Sequence, residues 1–168
     1  MNRESFDGQK DAKATLDMLD GTFPVTKKWR ETIRHKANDQ GYLISRHGYI
    51  RYFWEVFRER SDGWTPGDDS ESAIAFLPAN DAFGEIKDRM LALAEQGLDE
   101  KYGLINTIHD SLMFECPDVY LEEAIPTIKR IMETPSKVLI SQKVAPLGLS
   151  VEVDVKAGRD WAVMRGVA

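Results

Sequence analysis

Two short apolar runs on either side of a polar turn constrain this chain more than any other stretch. Leu104-Ile105-Asn106-Thr107-Ile108 leads into His109-Asp110-Ser111, and Leu112-Met113-Phe114-Glu115-Cys116 leads out. β-Prone runs of that length around a tight polar turn predict an antiparallel hairpin. Its tip carries a His and an Asp, held against solvent or a ligand. A carboxylate on a stiff turn is well placed to hold a divalent cation. The plainer reading is that Asp110 is there because Asp favours turns.

At 168 residues the chain has room for one good core or two lobes. It is 42% hydrophobic and 30% charged, which places it among ordinary globular domains. No apolar run approaches the length of a membrane span. The segment Met1-Asn2-Arg3-Glu4-Ser5-Phe6-Asp7 lacks the apolar core of a signal peptide. The single cysteine, Cys116, excludes an internal disulfide framework and a Cys-rich zinc site, and it reads as a small buried hydrophobe. A cytosolic, reducing compartment is the simplest expectation.

The net charge of −6 argues against a free-standing nucleic-acid binder, but the charge is uneven. From Phe23 to Arg60 nine cations (Lys27, Lys28, Arg30, Arg34, Lys36, Arg46, Arg51, Arg58 and Arg60) face four anions (Glu31, Asp39, Glu55 and Glu59), with His35 and His47 in addition. Such a segment suits contact with phosphates. It also suits a plain solvated helix face.

Periodicity predicts a helix over Gln9–Asp20 and a second from Pro24 to about Gln40. Val25, Trp29, Ile33 and Ala37 recur every four residues there, and Gly41 stops the helix. Residues 42–53 read as a hairpin around His47-Gly48. Ser61–Ser72 is the one loop-like stretch and is expected to separate two lobes. Asn80 or Asp81 caps a predicted helix over Ala82–Gln96. Pro117-Asp118 starts another, with Pro126 inside it. Ser150–Val155 alternates and predicts a strand. Helices packed on one face of an antiparallel sheet make an α+β architecture. Trp29, Trp54, Trp64 and Trp161 read as core or interface residues.

The run Leu104–Pro117 resembles motif C of the family A, polymerase I-like DNA polymerases: an apolar strand, His-Asp-Glu, an apolar strand and a Pro. The resemblance extends through the chain in family order. Phe23-Pro24-Val25, Gly41-Tyr42-Leu43 and Gly48-Tyr49-Ile50-Arg51-Tyr52 resemble the family's Tyr-Pro-Gly-Val, Gly-Tyr-Val and Gly-Arg-Arg-Arg-Tyr succession. Ala75–Lys87 is similar to the Gln-Gly-Thr-Ala-Ala-Asp-Ile-x-Lys helix entry. Val151–Trp161 is similar to the family's Val-Glu-Val-x-x-Gly-x-Gly-x-x-Trp ending. The resemblance implies residues 1–60 as distal fingers, 61–72 as a loop, and 73–168 as the motif C half of a palm built on an antiparallel sheet.

The resemblance also implies a chemistry. Asp110 would hold Mg²⁺ in a two-metal site with a second Asp from motif A. His109 would approach the primer end. Ser111 stands where the family usually carries Glu. Arg46, Arg51, Asn80 and Lys87 are the implied DNA contacts, while Ala79, Ala75 and Glu71 replace family residues that touch the duplex. No counterpart of motif A, of the triphosphate-binding fingers helix or of a thumb is present in the sequence. The implied function is therefore one chain of a split, phage-type DNA polymerase. It would be active only with a partner polypeptide, on primer-template DNA and dNTPs. A fragment of a single-subunit RNA polymerase, to which His-Asp-Ser is similar, and a non-catalytic palm remnant acting in a replisome are the alternatives.

Overall fold

Helix α1 (Gly8–Thr22) and helix α2 (Pro24–Gln40) meet at Phe23. Pro24 occupies the first turn of α2, where a missing N–H loses no helical bond. The Gly41 N–H closes the far end on the Ala37 carbonyl at 2.9 Å. The structure is a computed structural model that describes residues 8–61 and 63–167, with residues 8–11 as backbone only. Strands β1 (Tyr42–Ile44) and β2 (Ile50–Tyr52) follow, then β3 (Phe57–Arg60) and β4 (Gly63–Pro66). Helices α3 (Ser70–Ala94) and α4 (Leu98–Tyr102) lead into β5 (Leu104–Ile108) and β6 (Ser111–Phe114). A 3-10 turn (Asp118–Tyr120) opens α5 (Leu121–Met132). The chain then runs through β7 (Val155–Ala157), a 3-10 turn (Trp161–Val163) and β8 (Arg165–Val167).

The α+β class is as expected. Its strands form four separate antiparallel pairs, β1-β2, β3-β4, β5-β6 and β7-β8. Three local expectations are corrected. The first is the start of α3, which begins at Ser70 and continues through Pro78 rather than starting at Ala82. Proline removes one N–H, and the helix runs on through that gap to Ala94. Asn80 and Asp81 therefore lie inside the helix and cap nothing. The second is the loop at 61–72. Gly63–Pro66 pairs with β3 in the register Phe57↔Pro66 to Arg60↔Gly63, and α3 has begun by Ser70.

The third is the strand at 150–155, of which only Val155 is in a strand. Alternation makes a strand only where a neighbouring edge takes up its peptide groups. Val151–Asp154 has no such neighbour among the described residues, and the Val153 N–H donates to Glu133 Oε1 at 3.0 Å instead.

The described residues divide into two compact units. One comprises residues 8–44 together with the described residues of 50–77, and the other 45–49 with 78–167. In the first, Ile33, Ala37, Leu43, Phe53, Val56, Ala73 and Phe76 are buried, with the Phe53 and Phe76 rings edge to face at 6.0 Å. In the second, Leu93, Tyr102, Ala124 and Ile131 form the core. The four-residue spacing of α2 overstated its buried face: Ile33 and Ala37 are inside, but Val25 is 82% exposed. None of the four tryptophans is a core residue, and Trp54 is 90% exposed. Cys116 is a half-buried free thiol whose pKa is pushed up by burial.

Candidate functional site

The expected hairpin is present, with its strands one residue tighter around the tip. Pairing of Ile108 with Ser111 leaves His109-Asp110 as a two-residue loop. Loops of that length need a positive φ to follow the twist of the strands. His109 supplies it with φ 54°, the one non-glycine residue with positive φ among those described. Holding a side chain in that region costs about 1–3 kcal/mol, and such turns cluster at functional sites. The Ser111 hydroxyl closes the turn by donating to the Ile108 carbonyl at 2.8 Å. β5 carries a register shift between Leu104 and Asn106, and Ile105 within it is exposed.

Three hydrogen bonds anchor the base of the hairpin. Glu115 N–H donates to the Gly103 carbonyl at 2.8 Å. The neighbouring Tyr102 is fully buried, and its hydroxyl donates to Glu123 Oε1 of α5 at 2.8 Å. Lys101 Nζ reaches the same oxygen at 2.7 Å. The Lys101 ammonium, and then the Tyr102 hydroxyl, hold the Glu123 carboxyl below its usual range. Burial, with the Glu123 contact behind it, pushes Tyr102 up, and Glu123 pushes Lys101 up.

At the other end His109 and Asp110 are exposed and line a depression of about 290 Å³ with Ala79, Ala82, Phe83 and Ile86 of α3. The Asp110 carboxylate makes no ion pair among the described residues. Lys87 Nζ donates to Tyr49 Oη at 2.7 Å and sits 4.8 Å from the Tyr49 ring and 5.4 Å from that of Phe83. Phe83 is one of the residues that line the depression. Asn80 is half-buried on the same helix. Arg46 is exposed in the turn after β1, and its N–H donates to Asp81 Oδ1 at 2.9 Å. Arg51 lies in the first unit, its guanidinium 5.3 Å from the Phe53 ring centroid. The structure therefore brings His109 and Asp110 to one depression, while Lys87, Asn80, Arg46 and Arg51 are not among the residues that line it.

The basic stretch is partly neutralised within the first unit. Arg30 pairs with Asp20, Arg34 with Glu71 at 2.5 Å, and Arg58 with Glu55 at 2.5 Å and Asp68 at 3.0 Å. The Glu55 contact raises the Arg58 pKa, and Arg58 in turn lowers that of Glu55.

Mg²⁺ takes one or two protein carboxylates and completes its shell with water and substrate phosphates. Asp110, exposed and without a competing cation, fits as one of those carboxylates. Among the described residues the one grouping of three ligating side chains is elsewhere, at His47, Glu85 and Asp88. That cluster was not singled out from the sequence. The i, i+3 spacing of Glu85 and Asp88 on one helix face was a visible signal; their proximity to His47 was not.

The family model of DNA polymerase family A matches residues 3–163. DNA polymerase I of Rhizobium leguminosarum is 27% identical over 144 residues, which are 83% of this chain and 13% of that protein. The thermostable DNA polymerase I of Thermus filiformis is 27% identical over 155 residues, 90% of this chain and 17% of the relative. That of Thermus thermophilus is 24% identical over 160 residues, 94% and 18% respectively. The chain thus spans less than a fifth of the length of these curated relatives. No solved structure matches significantly. With the motif order, the hairpin and the depression beside it all in place, a family match over nearly every residue has one meaning: the chain belongs to DNA polymerase family A.

Proposed function

We propose that this chain supplies the motif C half of a polymerase active site, for template-directed transfer of a nucleotidyl group from a dNTP to a primer 3′-hydroxyl. The single observation that carries the reading is the His109-Asp110 tip: a two-residue turn that places a carboxylate, with no ion pair among the described residues, beside a depression on α3. Asp110 would hold Mg²⁺ together with a carboxylate from outside these 168 residues. When bound, the cation would neutralise charge on the reacting phosphates. His109, fixed by the same turn, would orient the primer end. Ser111 would act by closing the turn. Lys87, poised among Tyr49 and Phe83, would meet a nucleic-acid phosphate, and Asn80, Arg46 and Arg51 would contribute further DNA contacts.

The second carboxylate, the triphosphate-binding helix and the thumb would come from a partner polypeptide, of the kind a split phage polymerase would use. The β5-β6 pair, without a third strand among the described residues, supports that reading. The test is primer extension with dNTPs by this chain alone and after co-expression with the polypeptide encoded beside it. The chain alone should incorporate nothing, the assembled pair should extend, and Asp110→Ala should abolish extension while leaving assembly intact. Robust synthesis by the isolated chain would sink the split-site reading. Normal extension by an assembled pair carrying Asp110→Ala would reduce Asp110 to a turn residue. Parallel reactions with NTPs decide between DNA and RNA synthesis.

A further inference from the structure

We infer that His47, Glu85 and Asp88 bind one divalent transition-metal ion of the zinc class. His47 lies in the turn after β1, and its ring rests on α3 at Gly84. A Cβ at Gly84 would fall 2.3 Å from His47 Cγ, so the ring lies where only a glycine leaves room. The side chain is 7% exposed, and both ring nitrogens are buried without a hydrogen-bond partner. A buried imidazole whose two nitrogens make no hydrogen bond, although carboxylate oxygens stand 3.3–3.7 Å away, leaves a gap that an ion would fill.

The surrounding atoms supply the rest of a coordination shell. Nε2 is 3.3 Å from Glu85 Oε1 and 3.5 Å from Asp88 Oδ2, and the three ligand atoms all lie within 4.8 Å of one another. Zinc bonds of about 2.0–2.2 Å in tetrahedral array put neighbouring ligand atoms roughly 3.3–3.6 Å apart. Glu85 and Asp88 are three apart on α3 and share one face. Glu85 is already held: Arg89 Nη2 donates to its Oε2 at 2.9 Å, and the buried Ser136 hydroxyl donates to its Oε1. Such outer contacts orient ligating carboxylates. Nδ1 faces Asp81 Oδ1 at 3.7 Å, too far for a hydrogen bond. Asp88 is 47% exposed, which leaves an entry path and room for water as the fourth ligand. A nitrogen with two carboxylates favours zinc-class ions over Mg²⁺ and Ca²⁺, which prefer all-oxygen shells.

The inference is independent of the polymerase reading. It is tested on the full chain, stripped with chelator and titrated with Co²⁺ for its visible absorption, then with Zn²⁺ by equilibrium dialysis. One Zn²⁺ per chain is expected, displacing Co²⁺. His47→Gln and Asp88→Asn should each weaken binding by about tenfold or more, by analogy with the loss that even outer-shell changes bring. Asp110→Asn should leave Zn²⁺ affinity unchanged, which separates this site from the proposed catalytic cation. Because His47 is buried, Asp88→Asn, at the exposed corner, provides the variant that retains the fold, checked by circular dichroism. The imidazole nitrogen shifts of His47, one of three histidines, should move on Zn²⁺ addition. Failure to retain Zn²⁺, binding indifferent to both substitutions, or His47 nitrogen shifts that do not move on Zn²⁺ addition would overturn the inference.

Discussion

Replacing Gly103 by Ala tests whether the base of the hairpin is held by a close backbone approach or merely by a permissive turn. Gly103 has φ 67°, in the left-handed region, and Gly97, six residues earlier, has φ 64°. An L side chain in that region costs roughly 1–2 kcal/mol. Alanine recovers about 0.4–1 kcal/mol by restricting the unfolded chain. Gly97→Ala, whose Cβ meets nothing within 4 Å, should therefore destabilise by only about 0.5–1 kcal/mol. At Gly103 the Cβ would fall 2.5 Å from the Glu115 carbonyl oxygen, well inside the 3.4 Å where ordinary contact begins. Both crowded groups are backbone, so relief requires the strands to part, which weakens the 2.8 Å bond from Glu115 N–H to the Gly103 carbonyl. Loss of that bond adds about 1 kcal/mol. Urea unfolding of the two variants should give midpoints that differ accordingly, at unchanged slope. Equal destabilisation of Gly97→Ala and Gly103→Ala would refute the close-approach argument, since backbone strain alone would then account for both.

Two further perturbations address the tip and the first unit. His109→Gly should leave the fold unchanged or stabilise it by up to about 1 kcal/mol, because glycine relieves the positive φ and loses part of that gain in the unfolded chain. The same substitution should impair extension by the assembled enzyme, and a clear loss of stability in the urea midpoint would mean that the turn is not strained. Asp69 Oδ2 accepts the Trp54 N–H at 2.8 Å and the Glu55 N–H at 3.2 Å, and these two donors hold its pKa below the usual carboxylate range. A carboxyl lowered by folding contributes stability above its unfolded pKa of about 3.9 and loses it as pH falls through the folded value. Asp69→Asn should therefore flatten the acid limb of stability against pH, and an unchanged limb would show that the two bonds do not form.

What was legible in the sequence was local. Pro24 and Gly41 bracket α2 because a missing N–H suits a first turn and a small residue suits a helix end. The 104–116 hairpin was visible because apolar runs and a polar turn lie within a dozen residues of each other. Long-range matters were hidden. α3 runs through Pro78, although the local signals at Asn80 and Asp81 suggested a helix start there. The depression gathers Ala79, Ala82, Phe83 and Ile86 against a tip more than twenty residues further on. Ser111 read as a departure from a family carboxylate, whereas its geometry shows a hydroxyl engaged in closing the turn. The His47 cluster joins a turn to the middle of α3, and no periodicity connects those positions.

Under the proposed function, the open strand pairs and the solitary carboxylate have one cause. A two-stranded ladder is marginal in water, and three or more strands or a packed helix are needed to hold it. The β5-β6 pair has neither a third strand among the described residues nor full cover, since Ile105 is exposed on it. A strand added to its edge would take up the free peptide groups. A motif A strand docked there would also bring a second carboxylate toward Asp110. Backbone pairing would then set the position of the metal site, with no separate device needed to align the two carboxylates. Prolines placed along the outer face of β5, where they remove donors without touching Asp110, should accordingly weaken assembly and extension together. If assembly survives those prolines intact, the partner does not dock through this edge.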